Sequence, residues 1–301
     1  MSGHPSGREV TSVGLRGVVS ERQRRFGEEL RRLREGTGMS GPEIGELMGM
    51  KGPAVSHTEA GRLSLNIERL HVWLDVCGMT DPDYRAGMAA MCQSAGRGWW
   101  SEYRPYVVSD AIDLAEFEDA AKSFSSYQTH LIPGLLQTKA YTEVMHEYAE
   151  KKVEFRRRRQ QVITAENATP FHAVIHEAAL RMLYGGPAVM RDQLNHLVEM
   201  AHLPHVTIQI LPFDCTVYAS TDTAFMVMHG AQARLDTVLV ENPHGSSFLG
   251  DPEGVATFRR KFDRIKGMAL PPLNPSAPGP SPAFRDSLGM IQHIRYKLLG
   301  R

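Results

Sequence analysis

The chain has 301 residues, 42% of them hydrophobic and 23% charged, and a formal net charge of +0. That apolar content suffices for one or two cored domains, and the balanced charge means that any nucleic-acid binding must come from a local face, not from a polycation. The cysteines Cys77, Cys92 and Cys215 are odd in number, widely spaced and without a C-x-x-C pair, which disfavours a disulfide framework and a zinc site and suits a reducing cytoplasm.

No apolar signal core opens the chain, and no stretch approaches the roughly 20 apolar residues that cross a bilayer, so a cytoplasmic protein without a membrane partner is expected. Residues 1–20 show no helical or strand period and read as a mobile tail. From 21 to 95 short amphipathic helices follow one another, with Phe26, Leu30 and Leu33, then Ile67, Leu70 and Leu74, on single faces. This predicts a compact all-helical unit.

The strongest local signal within it runs from Ser40 to Arg62, S-G-P-E-I-G-E-L-M-G-M-K-G-P-A-V-S-H-T-E-A-G-R. Ser40 suits an N-cap, with Pro42 in the first turn and Glu43 at capping-box spacing. Ile44, Leu47 and Met48 make the predicted buried stripe. Gly45 falls where a second helix crosses closest to a third, and Gly49 supplies the left-handed turn between them. Lys51 opens the next helix, Pro53 sits in its first turn, Val55 faces the core and Gly61 stops it. Glycine, glycine and valine at these offsets are the spacing of a DNA-reading helix-turn-helix.

Residues 26–62 resemble the xenobiotic-response-element and phage-repressor type of helix-turn-helix, most specifically at Val55, Ser56, Glu59, Gly61 and Arg62. The resemblance implies that the helix from Lys51 to about Ala60 lies in the major groove of double-stranded DNA, and that Arg34 pairs with Glu59 to lock the unit. Gly41 stands where that family usually has a glutamine reaching a phosphate, leaving backbone N–H groups beside Ser40 for the task. Gly52 and Pro53 occupy base-reading positions without a polar side chain, so direct readout rests on Lys51, Ser56 and His57, aided by DNA shape. From Glu21 to Leu70 nine Lys/Arg stand against eight Asp/Glu, so steering by net charge is weak, and many arginines have Glu28, Glu29 or Glu35 in pairing range. An all-helical interaction module that never touches DNA is the alternative.

From 96 to 270 the pattern is mixed. Helical periods at 112–124, 138–160 and 187–203 precede β-like runs at Val206–Pro212, Phe225–His229 and Leu235–Val240, which predicts a domain of mixed α/β type; effector or partner binding and dimerisation are the roles assigned to it on the resemblance described below. The fold class is thus α+β: an N-terminal all-helical unit and a larger mixed C-terminal one. Six prolines in residues 271–282 define a stiff linker over 271–283. Beyond it, residues 284–301 carry Phe284, Leu288, Ile291, Ile294 and Leu298 on one stripe of an amphipathic helix that needs a groove on its own domain, a dimer mate or a partner.

Several segments in order, from Gly98 to Tyr103, Leu131 to Tyr141, Glu177 to Leu180, Gly186 to Leu194 and Val206 to Phe213, resemble an actinobacterial family of regulators. In it a helix-turn-helix precedes a large C-terminal domain, as in WhiJ-like developmental regulators, some of them antitoxin-like and encoded beside a small partner protein. The resemblance implies transcriptional control, and a small protein encoded nearby or a small-molecule effector as partner; it names no cofactor.

In that domain Trp99, Trp100 and Tyr103 read as domain-interface aromatics or as a ligand cage. Pro133 forms a turn before a helix starting near Thr138, with Gln137 exposed at its entrance and Tyr141 beyond; a docking turn and a pocket lip both fit. His172 and His176, and His202 and His205, lack a carboxylate at ligand spacing, so no metal site is assigned. The four arginines 156–159 read as a solvated face, or else as a patch for DNA or an acidic partner. No G-x-S-x-G, phosphate-binding or dinucleotide motif argues for catalysis. Three functions follow: a dimeric DNA-binding regulator, an antitoxin-like protein that sequesters a small partner, and an enzyme fused to a DNA module.

Overall fold

The computed structural model describes residues 15–216, 222–242, 244–276 and 286–298. Phe284 and most of the proline-rich segment lie outside them. The chain divides into two compact units, one up to Gly96 and one from Arg97 onward.

The first unit is all-helical: α1 (Glu21–Gly36), α2 (Gly41–Leu47), α3 (Gly52–Glu59), α4 (Ile67–Val76) and α5 (Pro82–Cys92). Short polar side chains start most of these helices. Ser20, Ser40, Asn66 and Asp81 each accept a backbone N–H three residues on, which satisfies donors the helix leaves free. Leu30, Ile44, Leu70, Trp73, Leu74, Tyr84 and Met88 are fully buried between the helices.

Charge is buried there as well. Glu29 on α1 accepts from Arg25 at 2.9 Å and from the Tyr84 hydroxyl at 2.7 Å, and also pairs with Arg32. Burial pushes its carboxyl up, but Arg25, Tyr84 and Arg32 together bring it below the ordinary carboxylate range.

The second unit is built on a six-stranded sheet. Its elements are α6 (Ser109–Ala120), β1 (Ser123–Gln128), α7 (Lys139–Met145), α8 (Glu150–Thr164), β2 (Phe171–His176), α9 (Glu177–Arg181), α10 (Gly186–Met200), β3 (Val206–Leu211), β4 (Phe225–His229), β5 (Thr237–Asn242), β6 (Gly245–Leu249), α11 (Pro252–Met268) and α12 (Ser287–Lys297). The strand order is β3-β2-β1-β4-β5-β6. Parallel pairs join β1 to β2 and β2 to β3, across helical crossovers, and the remaining neighbours run antiparallel. The α+β class, with a helical N-terminal unit and a mixed C-terminal one, is therefore what the chain adopts.

Alternate residues of each strand feed two cores. Phe124, Phe171, Ile175, Ile208, Ile210 and Met228 face α10 and α12 with Tyr141, whereas Tyr127, Val174, Phe225, Val227 and Val238 face Val255, Phe262 and Ile265 of α11. Helix α12 belongs to the first of these cores, with Ile291 fully buried beside Leu194 and Leu197 of α10.

Several expectations need correction. The predicted helix 112–124 ends at Ala120, because residues 123–128 form β1, a central strand covered on both faces and so without clean alternation. The predicted helix 138–160 is two, α7 and α8, separated where Glu147 and Tyr148 take φ values of 51° and 60°. No glycine or proline marks that break, so the helical period ran through it. Leu47 is 56% exposed, leaving Ile44 and Met48 as the buried side of α2.

Candidate nucleic-acid interface

Helices α2 and α3 meet closely because Gly45 has no side chain: a Cβ there would sit 2.9 Å from the Met50 carbonyl and 3.2 Å from Val55 Cγ2. Gly61, at φ +72°, ends the connection after α3. Val55 and Thr58 are the buried side of α3, and the Thr58 hydroxyl is satisfied by the Ala54 carbonyl at 2.9 Å. Arg34 of α1 grips Glu59 with two hydrogen bonds, 2.6 and 3.0 Å, and also donates to the Met39 carbonyl at 2.7 Å.

The opposite side of α3 is open. Lys51, Gly52, Pro53, Ser56 and Arg62 are exposed, and His57 is half-buried. The carbonyl of His57 caps the chain beyond, accepting from the N–H groups of Arg62 and Leu63. Ser40 is exposed and Gly41 half-buried at the start of α2. All eight residues assigned to DNA from sequence thus belong to α2, α3 and their flanks.

The donors of Ser40 at the start of α2 are engaged within the chain: Glu43 Oε2 accepts from both the Ser40 N–H and the Ser40 hydroxyl at 2.6 Å. These bonds to the Ser40 side chain and backbone hold the Glu43 carboxyl below its ordinary range, so it is an anion beside the open face. The i,i+3 spacing of Ser40 and Glu43 carried this signal.

In the second unit Trp99 packs edge-on against Trp100 and Tyr103, and Trp99 and Tyr103 both pack at a tilt against Phe155 of α8. Tyr103 donates to Glu154 at 2.8 Å. Gln137, expected at the surface, is 4% exposed; its Nε2 donates to the Ile132 carbonyl and its own carbonyl accepts from Gln160. A side chain that has to close a tight turn internally is pulled inward. Tyr141 is fully buried, with its hydroxyl accepting from the Ile132 N–H at 3.4 Å. Pro133 starts the 3-10 turn Gly134–Leu136.

The arginine run divides by helical period. Arg157 and Arg158 are exposed, whereas Arg159 is buried and paired with Glu118 at 2.6 and 2.7 Å, and Arg156 is half-buried. The histidines are satisfied locally: His172 meets Gln209 at 2.7 Å, His176 caps α9, and His205 meets the Ile163 carbonyl. Among the described residues no group of three or more His, Cys, Asp or Glu could hold a metal ion.

Sequence reading missed a Ser–His–Asp line. Ser125 Oγ lies 3.0 Å from His229 Nε2, and His229 Nδ1 lies 2.9 Å from Asp236 Oδ2. The spacing is that of a nucleophile, base and orienter. Two features act against that chemistry: Arg259 at 3.2 Å shares the Asp236 carboxylate, and Ser125 sits within regular strand β1 and not on a turn that bares its oxygen. The line ties β1, β4 and α11 together across the sheet.

The first unit thus has the architecture of a helix-turn-helix protein with α3 as the open helix. Residues 25–86 match a helix-turn-helix domain model, in agreement. Residues 111–274, more than half of the chain, match the model of a domain of unknown function, DUF5753, and the chain belongs to that family. No match is found among curated proteins or solved structures. Among the described residues no helix is long and apolar enough to cross a membrane.

Proposed function

We propose that this chain is a sequence-specific DNA-binding transcriptional regulator that acts as a homodimer, with its second unit sensing a small molecule or a small protein encoded nearby. The observation that carries the reading is α3, rigidly held through Arg34, Gly45 and Val55, with Lys51, Ser56, His57 and Arg62 on its free side. Three or four such side chains discriminate few base pairs, which is why a second half-site is part of the proposal. The xenobiotic-response-element type, the WhiJ-like kinship and a cytoplasmic setting belong to the same reading.

The test is genome-wide footprinting followed by binding of the recovered sites with Lys51→Ala and His57→Ala. Loss of affinity in both, with altered sequence preference for the His57 variant alone, supports the proposal. Unchanged binding by both defeats it. A broad surface groove lined by Tyr148, Val153, Arg157, Arg158, Gln161 and His196 favours the antitoxin-like reading as second, since an open polar groove suits a protein segment. Co-purification with the neighbouring gene product separates the two.

A further inference from the structure

Arg16 stands before α1 and before residues 25–86, which match the helix-turn-helix model, yet two of its donors hold the chain just beyond α3. Its backbone N–H donates to the Arg62 carbonyl at 2.9 Å, and its Nη1 donates to the Gly61 carbonyl at 2.6 Å. Arg62 in turn gives its own N–H to the His57 carbonyl at 2.8 Å. Both backbone polar groups of Arg62 are thereby engaged, one by α3 and one by Arg16, while its side chain is exposed.

The turn that Arg16 grips has little stiffness of its own. Gly61 lies at φ +72°, and a Cβ there would be 2.7 Å from the Gln23 carbonyl oxygen, so the position needs glycine, the residue with the widest choice of backbone angles. Close packing on α1, at Gly27 and Gln23, sets where the turn sits. It does not set which way the Gly61 and Arg62 carbonyls face, because van der Waals contact is far less directional than a hydrogen bond. The two donors of Arg16 set that. Arg16 is itself held close to α1, since Ser20 and Gln23 form the capping box that starts the helix.

We propose that Arg16 is a positioning residue for DNA binding: by holding the Gly61 and Arg62 carbonyls, it aims the Arg62 guanidinium at a backbone phosphate beside the groove that α3 enters. The inference rests on the DNA-binding reading above and adds to it a residue outside the helix-turn-helix. Arg16 acts through Arg62, because its Nη1 is turned onto the Gly61 carbonyl. A long side chain on a loose backbone loses backbone freedom when it binds, and freedom already removed in the folded chain is not lost again on the DNA.

The test is a double-mutant cycle on the full chain, with mixed-sequence duplex DNA at low salt as the probe, because a phosphate contact carries no sequence information. Arg62→Ala should weaken binding and lower the salt slope by about one. Arg16→Ala should weaken binding about five-fold in the unaltered chain, the worth of one net hydrogen bond, and leave affinity and slope unchanged in the Arg62→Ala background. An equal loss in both backgrounds overturns the proposal, since Arg16 would then support the fold or meet DNA without Arg62. No loss in the unaltered chain overturns it as well. Without DNA, Arg16→Ala should speed amide exchange at Arg62 and Leu63 while the melting temperature holds, and unchanged exchange there also defeats it. If the unaltered chain binds no duplex DNA, the DNA-binding reading falls and this inference with it, whereas equal losses in the cycle remove the inference alone.

Discussion

Arg34 in α1 and Glu59 at the end of α3 form a two-bonded pair, with side chains only 11% and 9% exposed. It joins residues 25 positions apart and fixes the direction in which α3 leaves the bundle. The Glu59 hydrogen bond raises the Arg34 pKa, so the cation is secure at any working pH.

Arg34→Ala should therefore cost about 2–4 kcal/mol, because it strands a mostly buried Glu59. Arg31→Ala removes an i,i+4 pair with Glu35 that faces solvent and should leave the unfolding midpoint nearly unchanged. Urea unfolding of the two variants makes the comparison. Equal losses would mean that the Arg34 pair is screened by water and does not organise the unit.

Glu43 presents a charge at the wrong place for a phosphate. Glu43→Gln retains the capping-box partner of Ser40 but removes the anion. Tighter DNA binding at low salt, by a few-fold, is expected, with the difference shrinking as salt screens the repulsion. Mobility-shift titrations at two salt concentrations check this; a gain that ignores salt would point to a change in helix position instead.

Helix α12 completes the core of the second unit. Ile291 is fully buried, so Ile291→Ala should cost about 2–5 kcal/mol. Tyr296, 74% exposed on the same helix, should tolerate alanine. Thermal unfolding of both variants distinguishes a structural helix from a loosely attached arm, for which the two would behave alike.

His146 supplies a pH dependence. Burial, then Arg156, Lys152 and Arg159, lower its pKa from 6.5 to about 4. Between these values the unfolded chain binds the proton and the folded chain does not. The stabilisation is thus complete above pH 6.5 and is lost as pH falls toward 4, by about 1–2 kcal/mol once solvent screening of the half-buried ring is included. His172 and His176 are lowered mainly by burial and act in the same direction. His146→Gln should flatten the stability profile across this window, as read from denaturant midpoints at several pH values; an unchanged slope would assign the loss to other groups.

The helix-turn-helix was legible in the sequence because its determinants are local. A capping serine with glutamate three residues on, glycines at the crossing and the turn, and apolar residues at helical spacing each act within a few positions, and they mark α2 and α3 with little help from the rest of the chain. The strands β3 and β4 were legible for the same reason, as short apolar runs bounded by turns.

What only the tertiary structure decided was the fate of polar side chains and of segments whose period is set by distant neighbours. Strand β1 lies between β2 and β4 and is covered on both faces, so its alternation vanished. Arg156 and Arg159 left a uniform basic run because Glu118, 41 residues from Arg159, and the turn at Gly134 draw them inward. Ser125, His229 and Asp236 come from separate elements, and nothing in the spacing of 125, 229 and 236 announces their line. Local backbone preferences act over one helical turn and are written in adjacent residues, whereas the burial of a charge is set by whichever partner the folded chain brings within about 4 Å, at a sequence distance that no local pattern records.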